Sequence, residues 1–113
     1  MDILDINAEN YCTSALTAIK VQGKPLQDRL EWMANEMLRK KQDEMPYDEF
    51  IVSAVRWIMD AIVKEGWSLT DANGISWFVS LYAGAYSSIK PGCSFRQIFK
   101  DIFKSYYSET RFL

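Results

Sequence analysis

The stretch 46-PYDEFIVSAVRWIMDAIVKEG-66 decides the fold. Phe50, Ile51, Ala54, Val55, Ile58, Met59, Ile62 and Val63 recur at three- and four-residue steps, the spacing of a helical face. Trp57 and Ala61 widen that face. At about 100° per residue it covers roughly two thirds of the circumference. A helix lying on one neighbour needs an apolar stripe only a little over ~100° wide, so this segment is expected to touch neighbours on two or three sides. The polar remainder is a narrow strip of Glu49, Ser53, Arg56, Asp60 and Lys64. Pro46 suits a helix start, where its missing N–H costs nothing. Asp48 and Glu49 complement the N-terminal dipole and Lys64 the C-terminal one. Gly66 fits a left-handed cap.

The flanking segments carry the same period. Ala8, Tyr11, Cys12, Ala15, Leu16 and Ile19 predict a first helix from about Asn7 to Val21, closed by Gly23 and Pro25. A second, from Pro25 to about Lys41, has the stripe Leu26, Leu30, Met33, Ala34, Met37 and Leu38, and Gln42-Asp43-Glu44 forms a polar break after it. Beyond Gly66, Ser68-Leu69-Thr70-Asp71 resembles a capping box, with Thr70 as a competing N-cap. A fourth helix is expected over 70–88. After the turn Lys90-Pro91-Gly92, Ser94 and Gln97 have capping-box spacing. They open a fifth helix from Phe95 to about Tyr107, with Phe95, Ile98, Phe99, Ile102, Phe103 and Tyr106 on one face. No segment alternates as a strand does. The expected fold is all-α: one domain over 1–113, a compact antiparallel bundle of four to five helices. Helices 46–66 and 70–88 are innermost, and residues 1–6 and 108–113 are frayed ends.

Composition narrows the function classes. Aromatic residues make up 14% of the 113, four of them Trp, which implies either a filled core or surface anchors. A net charge of −2 lacks the basic excess of a general nucleic-acid binder. The charge is uneven: eight basic and twelve acidic side chains lie in residues 1–65, five and three in 66–113. The N-terminus shows no signal-peptide pattern, so cytoplasmic localisation is expected, with Cys12 and Cys93 as free thiols. Ala72–Ile89 carries no charge, but its Asn, Gly and Ser content argues for a buried helix rather than a membrane span.

Histidine is absent, which removes the commonest general base and metal ligand. Two distant cysteines build no zinc site, and no phosphate loop or dinucleotide fingerprint occurs. Paired carboxylates on a helical face could hold magnesium. Asp28 and Glu31 have that spacing, but the central helix has Trp57 three residues before Asp60 where a second acidic pair would need a carboxylate. Asp28, Glu31 and Glu36 therefore read as a solvated face supported by Glu36–Lys40, and Asp60 as the middle of an ion-pair ladder with Arg56 and Lys64. No catalytic, cofactor-binding or metal-ligating residue is assigned.

Two faces stand out as candidate partner-binding surfaces. Trp32 lies opposite the Leu30–Met33–Met37 stripe, beside Arg29 and Arg39, and Trp and Arg are enriched at interface hot spots. Arg96, Lys100 and Lys104 form a basic stripe on the last helix, suited to an acidic partner. The fourth helix carries a face of small residues, Ser76, Ser80, Ala83, Gly84 and Ser87. A neighbouring helix of the same chain is its first expected occupant, and a second copy in a homo-oligomer the alternative.

By elimination, the expected function is a small non-enzymatic protein-binding module of inhibitor, adaptor or toxin-immunity type. Bacterial and phage proteins of that kind are similar in size and helix count, and no motif carries the likeness further. A magnesium-dependent enzyme using carboxylates on a small phosphorylated substrate, and a membrane-associated helical protein, are the alternatives.

Overall fold

The computed structural model describes residues 2–110. Five helices form: α1 (Ile3–Gln22), α2 (Lys24–Arg39), α3 (Tyr47–Lys64), α4 (Ala72–Ile89) and α5 (Phe95–Thr110), with a single 3-10 turn at Gln42–Glu44. No strand occurs among the described residues. The radius of gyration is 13.3 Å, the value expected of one compact unit of this length, about 13 Å.

The helix termini follow local chemistry. Gly66 takes φ 78°; its N–H donates to the Val63 carbonyl, and that of Trp67 to the Ile62 carbonyl, both at 3.0 Å. This is the double-bonded glycine cap that satisfies the last carbonyls of a helix. Ser94 caps α5 by accepting from Gln97 N–H at 3.1 Å. Gly23, at φ 62°, both ends α1 and starts α2, so the two helices meet without a loop.

Several boundaries differ from the sequence expectation. α1 starts at Ile3, not Asn7, because the Asp2 side chain accepts from Leu4 N–H and Asp5 is held by Lys104 of α5. Residues 3–6 and 108–110, expected among the frayed ends, lie within α1 and α5; 1 and 111–113 lie outside the described residues. α2 ends at Arg39, since Lys41 turns left-handed at φ 56°. The cap of α4 is Asp71, not Ser68 or Thr70: its carboxylate accepts from the N–H groups of Asn73 and Gly74, while Ser68 and Thr70 bond to each other.

α4 is the element on which the others converge, packing against α1, α2, α3 and α5. Nine of its residues are buried, among them Ile75, Val79, Ala83 and Tyr86. α3 packs on α4 and α5. It buries Phe50, Ile51, Ala54, Val55, Ile58 and Ile62, and leaves Val52 and Val63 exposed. The Phe50 ring stacks on Tyr86, with centroids 3.8 Å apart. The five α5 positions from Ile98 to Tyr106 that share its apolar face are buried as their spacing predicts. α1 meets them with Ala8, Cys12 and Ala15, and Tyr11 stacks on Phe103 at 5.3 Å. Cys12 and Cys93 are free thiols.

The small-residue face of α4 is covered from within the chain at Gly84. Ala83 and Gly84 are buried. A Cβ on Gly84 would come 2.8 Å from Leu30 Cδ2, so the missing side chain is what lets α2 approach. At Gly84 the occupant is therefore a neighbouring helix of the same chain. Among the described residues, no helix is long and apolar enough to cross a membrane.

Candidate functional site

The two candidate faces have different fates in the fold. On α5, the basic stripe lies against the acidic side of α1. Arg96 and Lys100 both pair with Glu9, the latter at 3.0 Å, and Lys104 pairs with Asp5. The hydrogen bond from Lys104 holds the Asp5 carboxyl below its ordinary range, and the one from Lys100 does the same for Glu9. The uneven charge of the sequence is thus partly cancelled inside the molecule. Arg96, Lys100 and Lys104 clasp α1 to α5 in antiparallel register, three cations on the two carboxylates of Glu9 and Asp5.

On α2, Trp32 is 65% exposed, unusual for the largest apolar side chain. Its expected companions do not gather around it. Arg29 lies over the Trp77 ring of α4, 5.8 Å from the centroid. Arg39 pairs with Glu36 at 2.8 Å and keeps that carboxyl below the usual range. Glu36 therefore takes Arg39, three residues on, rather than Lys40. Asp28 is paired with Lys24 at 3.0 Å. Among the described residues, no three His, Cys, Asp or Glu side chains gather to hold a metal ion.

What surrounds Trp32 is a cleft of about 300 Å³ between α2, α3 and α4. Met33 and Met37 line it from α2, one and five residues beyond Trp32. Trp57 and Asp60 come from α3, Tyr82 from α4. Glu36, Lys40 and Gln42 complete the rim at the C-terminal end of α2. Trp57 and Tyr82 stack with centroids 5.8 Å apart and planes at 25°, and Trp57 also meets Phe50 edge-on at 6.0 Å. One aromatic wall is therefore anchored in the core, and Trp32 stands free beside it.

Asp60 differs from its expectation. Arg56 and Lys64 lie one turn away on the same helix, yet neither forms an ion pair with it among the described residues. The carboxylate instead lines the cleft beside Tyr82, whose phenol is pushed up by burial first and by the Asp60 charge second. Sequence reasoning singled out Trp32 but missed Trp57, Asp60 and Tyr82. Trp57 read as a sideways extension of the buried arc, and nothing local joins positions 32, 57, 60 and 82.

Chemically, the cleft offers aromatic faces, thioether edges and one unpaired carboxylate. Such surfaces accommodate apolar and cationic groups. Compared with family models, curated proteins and solved structures, the chain shows no significant match.

Proposed function

We propose that the protein is a non-enzymatic protein-binding module, of the inhibitor, adaptor or toxin-immunity kind, and that its partner docks on the α2–α3 face around Trp32. One observation carries the reading: a 65% exposed Trp lines a cleft that also holds the stacked pair Trp57 and Tyr82. Interface hot spots are enriched in Trp and centre on pockets that become fully desolvated. A preformed cleft also lowers the ordering cost of association. The α1–α5 clasp supports the same choice of face, because its cations already hold acidic partners.

The test is differential capture. Wild type and Trp32→Ala, immobilised in parallel, are exposed to a lysate of the native host. A specific partner is retained by the wild type and lost by the variant, a loss of at least about 2 kcal/mol for a hot-spot Trp. Since Trp32 is mostly exposed, the melting temperature of the variant stays near that of the parent. Equal capture by both proteins excludes this face as the interface, and unfolding of Trp32→Ala excludes a surface role for the ring.

A further inference from the structure

We propose that the cleft between α2, α3 and α4 receives one basic side chain, a lysine or arginine presented by the partner polypeptide. The inference rests on the protein-binding reading and adds the chemistry of what is bound.

Three observations point the same way. First, the volume of about 300 Å³ lies at the lower edge of the range for small-molecule pockets, about 300–1,000 Å³. That is room for a single long side chain rather than a larger cofactor. Second, the walls are graded. Met33 and Met37 supply a soft apolar surface that accommodates a methylene stem. The faces of Trp32, Trp57 and Tyr82 attract a cation through their π-electrons, and Trp does so most strongly. Third, the one carboxylate without an ion pair in the cleft, Asp60, stands at the Trp57–Tyr82 end. The other carboxylate of the lining, Glu36, is matched by Arg39, with Lys40 nearby, and so is not an uncompensated negative charge. A stem lying on the Met and aromatic surfaces can present its charged head to Asp60, which lines the same cleft.

The competing occupant is an uncharged anchor such as leucine, which would use the aromatic and Met surfaces without needing Asp60. Arg56 and Lys64, one turn from Asp60 on either side, would then be free to neutralise it.

The experiment uses the intact protein with three probes: the N-acetyl amides of lysine, arginine and norleucine, the last matching the lysine stem without its ammonium. Indole N–H resonances of Trp32 and Trp57 are followed by NMR in low-salt buffer. The expected result is a saturable shift with the lysine or arginine probe and at least about tenfold weaker response to norleucine, the factor that corresponds to 1.4 kcal/mol. Asp60→Asn reduces the cationic response to the norleucine level and leaves the melting temperature unchanged. Equal response to norleucine and the cations, an undiminished response in Asp60→Asn, or no response to any probe overturns the proposal. Partner capture separates it from the broader reading. If Trp32→Ala loses the partner while Asp60→Asn keeps it, the cation inference is wrong and the docking face stands. If neither substitution affects capture, the docking face itself is wrong.

Discussion

Two buried tyrosines invite the same substitution with opposite expected signs. Tyr86 and Tyr106 are both fully buried. The Tyr106 hydroxyl donates to the Leu69 carbonyl at 2.6 Å. The Tyr86 hydroxyl finds no hydrogen-bond partner among the described residues, although its ring stacks closely on Phe50. A buried polar group left unpaired costs about 1–3 kcal/mol, whereas a satisfied hydrogen bond contributes about 0.5–1.5 kcal/mol net. Tyr86→Phe keeps the stacked ring and deletes the unpaired oxygen, so it is expected to stabilise the fold by about 1–2 kcal/mol. Tyr106→Phe removes the bond to Leu69 and is expected to destabilise it by about 1 kcal/mol. For a chain of 113 residues, 1 kcal/mol moves the melting temperature by about 4 °C. The two variants should therefore separate by roughly 8–12 °C on either side of the parent. Thermal and urea denaturation followed by circular dichroism measure this directly, and unchanged urea slopes would show that the denatured state is unaltered. A Tyr86→Phe protein less stable than its parent by 1 kcal/mol or more would refute the reasoning, because its hydroxyl must then be bonded in the native state.

Other expectations follow from the same geometry. Ile58→Ala empties a fully buried site on α3 and should cost about 2–5 kcal/mol. Arg56→Ala on the exposed strip should stay within about 0.5 kcal/mol, and equal urea midpoints for the two would reverse the faces of α3. Lys100→Glu combined with Lys104→Glu sets like charges against Glu9 and Asp5. The melting temperature should fall, and the loss should shrink in high salt; a loss insensitive to salt would deny the clasp. At alkaline pH, burial pushes the Tyr106 phenol up to about 12, against about 10 in an unfolded chain. The unfolded state loses that proton first, so stability complete below about pH 10 declines between about pH 10 and 12, by roughly 2–3 kcal/mol in total. Tyr106→Phe should flatten this limb of the profile. At acid pH the sign is opposite in origin: Asp5 and Glu9 have depressed values. Their contribution is present above about pH 4 and is lost as pH falls through the folded-state values.

The all-α class and the faces of α3 and α5 were legible in the sequence because large apolar side chains recur there at one period. Every α5 position from Ile98 to Tyr106 on the expected face is buried. α1 was harder to bound. Its buried face is Ala8, Cys12 and Ala15, small side chains that leave a faint pattern, and its first turn depends on Lys104, almost a hundred residues away. The cap of α4 was misplaced, at Ser68 with Thr70 competing, because Ser, Thr and Asp are all good caps, and the Asp71 carboxylate won the two N–H groups. The basic stripe of α5 was visible as a stripe, but its acidic partners on α1 were not, since pairing between the first and last helices leaves no local signature. Trp32 was legible as an oddity for the opposite reason: it breaks the period of its own helix. The cleft around it was not, being assembled from three helices.

The clasp between α1 and α5 has a consequence for how the chain comes off the ribosome. Glu9 and Arg96 are 87 positions apart, and synthesis proceeds at about 5–20 residues per second. The first helix is therefore made roughly 4–17 s before the last one can meet it. During that wait its unprotected face consists mainly of small side chains, Ala8, Cys12 and Ala15, with Leu4 and Tyr11 its larger members. Large apolar surfaces exposed on incomplete chains are what drive misassembly. Here the aromatic ring that stacks on α1, Phe103 against Tyr11, belongs to α5, the later of the two helices to be made. The clasp is thus completed only once α5 has been made, when α2, α3 and α4 already precede it in the chain.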